Sequence, residues 1–118
     1  MKITAIDHIQ LAMPVGGEDL ARTFYAGIFE LQEKPKPPEL AVRGGVWFEN
    51  DAVKIHLGVE PDFRPARKAH PALVVRDIQS LIDRLRSAGY DVRDDELARY
   101  QRAYVSDPFH NRIELIAL

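Results

Sequence analysis

The chain has 118 residues, of which 46% are hydrophobic and 29% charged, and this composition is that of an ordinary globular domain. Its net charge of −2 gives no electrostatic reason to expect nucleic acid or an anionic membrane as a partner, and the absence of cysteine excludes disulfides and thiolate metal ligands. With no secretion signal at its start and no apolar run of membrane-spanning length, we expect a cytoplasmic protein.

The first half of the chain predicts elements in the order β-α-β-β-β. The predicted helix covers residues 18–29, and the predicted strands cover residues 3–13, 31–34, 42–49 and 52–59. Leu20, Phe24 and Ile28 indicate the helix, because they recur at the spacing of one helix face. Asn50 and Asp51 separate the last two strands and are typical of a hairpin turn. A cluster of three prolines indicates a turn after the second strand.

The second half repeats that order after a linker, residues 60–69, whose two prolines should make it semi-rigid. The predicted helix covers residues 78–88, and the predicted strands cover residues 70–75, 90–94, 102–106 and 112–118. Asp77 suits the N-cap of this helix and Gly89 its end, and its apolar stripe consists of Ile78, Leu81, Ile82 and Leu85. We therefore predict one domain, residues 1–118, made of modules 1–59 and 70–118.

Both modules carry a potential metal ligand at the same two places. A histidine opens each module, His8 in the first and His70 in the second, and the two are 62 residues apart. His56 and Glu114 lie near the centres of the closing strands and are 58 residues apart. Because side chains alternate across a strand, apolar residues can cover each module's helix while these four side chains project from the opposite face. The duplication therefore predicts a site for a divalent metal ion.

Glu114 is the most specific of these four residues, because a carboxylate between two apolar neighbours is costly to bury without a partner. A bound cation would remove that cost, and the alternative is an ion pair with Arg112 or with an arginine of the linker. His8, His70 and Glu114 form the two-histidine, one-carboxylate set of open Fe(II) sites, which also suits Zn(II). His56 as a fourth ligand would leave two positions of a six-coordinate ion for water or substrate.

The remaining histidine, His110, is predicted to be structural. It follows Pro108 and Phe109 in a turn where a residue that tolerates positive φ is needed. The structural alternative also stands for the other histidines taken singly, because a lone histidine on a half-buried strand is more often a core or surface residue than a ligand. Four potential ligands at related positions of a repeat make that alternative less favourable.

Two segments and three single residues match the pattern of a known family. The segments are I-D-H-I-Q-L at residues 6–11 and Y-V-S-D-P-F-H-N-R-I-E at residues 104–114, and the single residues are Phe24, Tyr25 and Leu31. The chain resembles the vicinal oxygen chelate superfamily, which includes glyoxalase I, bleomycin resistance proteins and extradiol dioxygenases. The second segment is the more specific, with one departure, since His110 stands where the family usually has glycine.

The resemblance implies an α+β fold in which two β-α-β-β-β modules form a curved-sheet metal cleft. His8, His70 and Glu114 match the family's ligands, whereas His56 falls where relatives have glutamate or glutamine. The implied cofactor is a divalent metal (Zn, Ni, Mn, Co or Fe). Glu114 is also the candidate catalytic residue, because in glyoxalase I such a ligand can leave the metal and act as a base. The resemblance further implies a homodimer with sites between its subunits.

A few residues are candidates for contacts with a substrate. Gln10 shares the face of His8, and Trp47 could line an apolar pocket. Arg64 and Lys68, with Arg67 between them, form a basic cluster that suits a carboxylate or phosphate, although a solvated basic turn is equally compatible with it.

Two classes of function stay open. One is a metal-dependent lyase or isomerase acting on a small oxygen-chelating substrate, with an Fe(II) extradiol dioxygenase as its variant. The other is a metal-free small-molecule binding protein of the bleomycin resistance type. The intact ligand set favours the enzyme, while the fold by itself does not choose between them.

Overall fold

The structure, a computed structural model, describes residues 1–95 and 99–118 and divides into two compact units, Met1–Phe63 and Arg64–Leu118. The division falls inside the proline-containing segment 60–69. None of the helices in the described part of the chain is long and apolar enough to cross a membrane.

The first unit contains one four-stranded sheet with helical segments. In chain order its elements are β1 (Ile9–Met13), α1 (Glu18–Ala21) continuing into a π-helical segment (Arg22–Ile28), β2 (Gln32–Lys34), α2 (Pro38–Ala41), β3 (Val46–Glu49) and β4 (Lys54–Val59). The strand order is β1-β4-β3-β2, in which β1 runs parallel to β4 and the other neighbours are antiparallel. The opening and closing strands of the unit are therefore side by side.

Strand β1 is shorter than the sequence indicates, since it begins at Ile9 rather than at residue 3. Its ladder with β4 starts at the pair Ile9 and Ile55, and β4 itself begins only at Lys54. A strand needs a neighbour for its backbone hydrogen bonds, and the sheet offers none beside the first residues of the chain. His8 consequently lies just before the strand, not on it.

The helical stripe of the first unit is also displaced from the predicted one. Leu20 was expected on the buried face, yet 57% of it is exposed, while Ala21, Phe24 and Tyr25 are buried. The buried residues keep the spacing of one helix face, to which Leu20 does not belong, although the chain continues into a π-helical segment with a bond from the Phe29 N–H to the Phe24 carbonyl. The predicted contribution of Leu20 to the core is therefore wrong.

The predicted strand 42–49 is wrong in its first part. The chain forms α2 at the prolines, where Pro38 occupies the first turn, and β3 begins at Val46. Gly44 and Gly45 intervene with φ of 74° and 90°, which strands do not allow. A Cβ added to Gly45 would lie 2.5 Å from the Leu57 carbonyl oxygen, so the backbone there approaches β4 too closely for any side chain.

The second unit repeats the topology of the first. Its elements are β5 (Ala72–Val74), α3 (Ile78–Ser87), β6 (Val92–Asp94), β7 (Arg102–Ser106) and β8 (Arg112–Ile116). The strand order is β5-β8-β7-β6, with β5 parallel to β8. As predicted, the Asp77 carboxylate caps α3 by accepting the Ser80 N–H at 3.3 Å, and Gly89 ends it with φ of 88°. The predicted strand 70–75 is shorter than expected, so that His70 also precedes its strand.

A hydrogen-bonded turn joins β7 to β8. Asp107 is buried, and its Oδ1 accepts the N–H groups of Phe109 and Asn111, each at 2.8 Å. Its Oδ2 accepts the Asn111 side-chain amide at 2.9 Å. His110 adopts φ of 68°, which confirms the prediction of a positive φ at this position. The turn sets a register in which Tyr104 faces Glu114.

Candidate metal centre

The first unit brings His8 and His56 together. His56 is on β4, beside Gln10 of the parallel strand β1 and opposite Trp47 of the antiparallel strand β3. Its ring is stacked between two others, with centroid distances of 4.3 Å to both His8 and Trp47 and interplanar angles of 19° and 8°. The parallel pairing of the opening and closing strands thus creates a three-ring stack that contains two of the predicted ligands.

His56 is held in the neutral form. Only 7% of the residue is exposed, and its burial, followed by its electrostatic interaction with the neighbouring His8 ring, lowers the pKa of the imidazole below its ordinary value. Its Nε2 is buried and has no hydrogen-bond partner among the described residues. A buried nitrogen without a partner is costly, and coordination of a cation by its lone pair would remove that cost.

His8 is oriented by the carboxylate beside it. Its Nδ1 lies 2.8 Å from Asp7 Oδ2, and the other oxygen of Asp7 lies 3.7 Å from Lys54 Nζ. The hydrogen bond to His8 and the charge of Lys54 lower the pKa of Asp7, so the carboxylate is ionised and can only accept. Nδ1 therefore donates, and the Nε2 lone pair of His8 is left available, as in the carboxylate–histidine arrangement of metal sites.

The second unit brings His70 and Glu114 together. Glu114 is on β8, and its backbone N–H donates to the carbonyl of Pro71 at 2.9 Å, which places it beside the start of β5. His70 Nε2 lies 3.0 Å from Glu114 Oε1, and His70 Nδ1 lies 2.8 Å from the Lys68 carbonyl. Because a carbonyl only accepts, Nδ1 is the donor. A neutral His70 then directs its Nε2 lone pair at a carboxylate oxygen, which is an arrangement that a cation stabilises.

Glu114 also contacts an arginine that sequence reasoning missed. Arg102 on β7 places Nη1 3.7 Å from Glu114 Oε2, and its Nε donates to Asp95 at 2.9 Å. The expected alternative partner, Arg112, instead stacks its guanidinium 4.2 Å from the ring centroid of Tyr104. Arg102 and Tyr104 are two residues apart on β7 and therefore lie on the same face of the strand. This alternation of side chains was the signal in the sequence that could have placed Arg102 near Glu114.

The predicted substrate-binding residues are separated by the structure. Gln10 and Trp47 line a cavity of ≈ 340 Å³ in the first unit, together with the cationic side chains of Lys36 and Arg43. Arg64 and Lys68 are exposed. They do not line this cavity, and they do not line the second cavity, in the other unit, that is described below. Lys68 contributes its carbonyl to His70 instead.

The four predicted ligands therefore form two pairs, one in each unit. Within residues 1–95 and 99–118, no three histidine, aspartate or glutamate side chains gather into one group that could hold a metal ion. Other groups orient each pair. In the first unit Trp47 stacks on His56 and the carboxylate of Asp7 binds His8. In the second unit an arginine contacts Glu114 and a backbone carbonyl accepts from His70.

Two repeated βαβββ units with a four-stranded sheet each define the glyoxalase-like class of α+β proteins. The family model described as the Glyoxalase/Bleomycin resistance protein/Dioxygenase superfamily matches residues 5–115, and the chain belongs to this superfamily. No curated protein matches the chain in sequence.

Solved structures show the same fold. A glyoxalase family protein from Bacillus anthracis is 47% identical, with 99% of this chain and 97% of that chain covered and a TM-score of 0.92. The fosfomycin resistance protein FosX from Listeria monocytogenes, complexed with Mn(II) and 1S,2S-dihydroxypropylphosphonic acid, is 15% identical over 98% of this chain and 93% of that chain, with a TM-score of 0.82. The antibiotic binding protein TnmS3 from a Streptomyces species is 21% identical over 98% of each chain, with a TM-score of 0.72.

Proposed function

We propose that this protein is a divalent-metal-dependent enzyme, a lyase or isomerase that acts on a small molecule with adjacent chelating oxygens. His8, His56, His70 and Glu114 would hold the ion. When bound, a divalent ion polarises the substrate oxygens and stabilises an oxyanion that forms on them. The observation that carries the proposal is the contact between His70 and Glu114, whose acceptor atoms face each other at 3.0 Å when His70 is neutral.

The state of the other donors supports the same conclusion. His8 and His70 each donate Nδ1–H to a group that can only accept, so in both rings Nε2 is the nitrogen that can bind an ion, and that of His70 lies at Glu114. His56 is neutral and has a buried Nε2 without a partner among the described residues. Three imidazoles and one carboxylate suit Zn, Ni, Mn, Co or Fe, and the FosX structure with Mn(II) shows that one protein of this fold binds a divalent ion.

Glu114 is the proposed catalytic base. Its carboxylate has one oxygen at His70 and the other near the Arg102 guanidinium. Glu114 would help to hold the ion, and its carboxylate is also the group that would accept a proton from the substrate carbon next to the chelating oxygens. Arg102, itself fixed by Asp95, would keep the carboxylate oriented during this transfer.

We further propose that the protein is a cytoplasmic homodimer. The ligands occur as two pairs, and in the described residues no larger group is formed within the chain. The His8 and His56 pair of one chain would then complete the His70 and Glu114 pair of a second copy. A dimer of this kind has two equivalent sites related by its twofold axis.

The test is metal content, measured by mass spectrometry on protein without a histidine tag after incubation with each ion and removal of the excess. The parent should retain about one ion per chain, and His70→Ala and Glu114→Ala should lose it. His110→Asn is the matched control, because it removes a histidine outside the proposed ligands and asparagine tolerates positive φ. A parent that retains no ion would refute the metalloenzyme proposal.

The same measurement separates the alternatives. An Fe(II) dioxygenase of the two-histidine, one-carboxylate type would hold its ion without His56, so that His56→Gln would leave metal content unchanged. A metal-free binding protein is favoured by one observation, the cavity of ≈ 340 Å³ with its cationic and aromatic lining, which suits a small molecule without any ion. TnmS3 shows that a protein of this fold can bind an antibiotic.

A further inference from the structure

A second cavity, of ≈ 440 Å³, lies in the second unit. Its walls include Tyr104 and Ser106 from β7, Arg112 from β8, Arg93 from β6, and Arg67 from the segment before β5. Because side chains alternate across a strand, Arg112 is on the same face of β8 as Glu114, about 7 Å away along the strand. The cavity therefore adjoins one half of the proposed metal site.

The cavity has an excess of positive charge. Three of its lining residues are arginines and only one, Asp91, is acidic, although the whole chain has a net charge of −2. Asp91 is already paired, with Oδ2 3.6 Å from Arg93 Nε. Neither Arg67 nor Arg112 forms an ion pair within the described part of the chain. Two guanidinium groups at one concave surface, one exposed and one half-buried, are thus available to an anion.

Arg112 is oriented for binding rather than merely solvated. Its guanidinium lies 4.2 Å from the centroid of the Tyr104 ring, which holds the planar group in place, and its N–H groups make no hydrogen bond within residues 1–95 and 99–118. Ser106 is the cross-strand partner of Arg112 and offers a hydroxyl in the same cavity. A planar donor fork beside a hydroxyl matches the geometry of a phosphate, phosphonate or carboxylate group.

Tyr104 connects this cavity to the ligand pair. One contact of its ring is with Arg112, and another is with the His70 ring, whose centroid lies 5.5 Å away at an interplanar angle of 83°. Tyr104 is also the cross-strand partner of Glu114. A molecule that reaches the His70 and Glu114 pair with one end can therefore place its other end against Arg112.

We propose that this cavity is an anion subsite, in which Arg112 and Arg67, assisted by Arg93 and Ser106, bind a phosphate, phosphonate or carboxylate group of the substrate. The proposal rests on the proposed function, because it names the class of substrate that the metal site would take. The substrate is a small molecule that carries an oxyanion at one end and adjacent chelating oxygens at the other.

The experiment uses full-length, metal-free protein and two probes, inorganic phosphate and acetate, with binding followed by ³¹P NMR for phosphate and by calorimetry for both. Arg112→Gln should weaken binding of the preferred probe by about tenfold or more, since it removes a charge-assisted bidentate contact. Arg67→Gln should weaken it by a smaller factor. Arg76→Gln is the matched control, because Arg76 is exposed and does not line the cavity, and it should change the affinity by less than about twofold.

The relative affinities of the two probes identify the anion. Preference for phosphate would indicate a phosphate or phosphonate substrate, and preference for acetate a carboxylate. Arg112→Lys keeps the charge without the planar fork, so an intermediate affinity is expected even if Arg112→Gln folds poorly. The proposal is overturned if the parent binds neither probe, or if Arg76→Gln weakens binding as much as Arg112→Gln, since the anion would then be an adventitious ion only.

Glu114→Gln separates this proposal from the metal site. The variant should lose the ion and still bind the anion when both are measured in its purified form. If the parent binds the anion but no metal ion, the proposed enzyme is refuted. If the parent binds the metal ion but no anion, the subsite is refuted. The two failures are therefore distinguishable in the same set of proteins.

Discussion

His56 should make the stability of the metal-free protein depend on pH. Burial, and then the electrostatic interaction with His8, lower the pKa of His56 in the folded chain, while in the unfolded chain the imidazole titrates near its ordinary value of 6.5. The unfolded chain therefore binds more protons than the folded chain as the pH falls below that value. The contribution of a neutral His56 to the free energy of unfolding is fully present above the unfolded pKa and decreases as the pH falls toward the folded pKa.

The size of this effect is bounded by one proton per molecule. A single group changes the free energy of unfolding by at most about 1.4 kcal/mol per pH unit, and only between its folded and unfolded pKa values. Glutamine at position 56 does not titrate and keeps a polar side chain of moderate size. His56→Gln should therefore remove this part of the pH dependence while the other titrating groups still contribute theirs.

Urea unfolding between about pH 5 and pH 8 measures the difference directly. The parent should lose more stability at acid pH than His56→Gln does. His110→Asn is the control, because His110 is exposed, and its curve should follow that of the parent. If the parent and His56→Gln lose stability in parallel, the ring is not held neutral by burial and the reasoning about its free Nε2 fails.

Two other substitutions test the supports of the site. Asp7→Asn weakens the acceptor that orients His8 and should lower metal affinity by about 10- to 100-fold in a chelator competition, whereas Lys54→Gln, which removes only the distant partner of Asp7, should lower it less. Gly45→Ala should destabilise the protein by about 2 kcal/mol or more in urea unfolding, because its Cβ would meet a carbonyl of β4. Gly16→Ala, also at positive φ but in open space, should cost about 1 kcal/mol, and equal losses would contradict the close approach.

Local signals in the sequence were sufficient for much of the fold. The Asp77 cap, the Asn50 hairpin and the positive φ of His110 each depend on bonds within a few residues, and each was predicted. Ile113 and Leu115, which were predicted on the apolar face of the last strand, are buried. These features follow from short-range backbone chemistry that any single sequence displays.

Features that depend on distant partners were predicted less well. The start of β1 is set by where β4 begins, and the helix of the first unit buries Ala21 rather than Leu20, which apolar spacing alone did not distinguish. At the site, the duplication predicted the four candidate ligands, but not that Trp47 would stack on His56 or that Arg102 would reach Glu114. Those contacts are made across strands, and their register is not visible in one strand alone.

The parallel pairing of opening and closing strands has a consequence for folding. His70 and Glu114 are 44 residues apart in the chain, and they meet only when β8 has docked against β5. Parallel ladders between distant segments form slowly, because the intervening chain must be ordered first. In a nascent or truncated unit, His70 and Glu114 are therefore separate, and each could bind an ion only weakly and alone. Metal loading of the proposed site would therefore be a late event, available only to a unit whose last strand is in place.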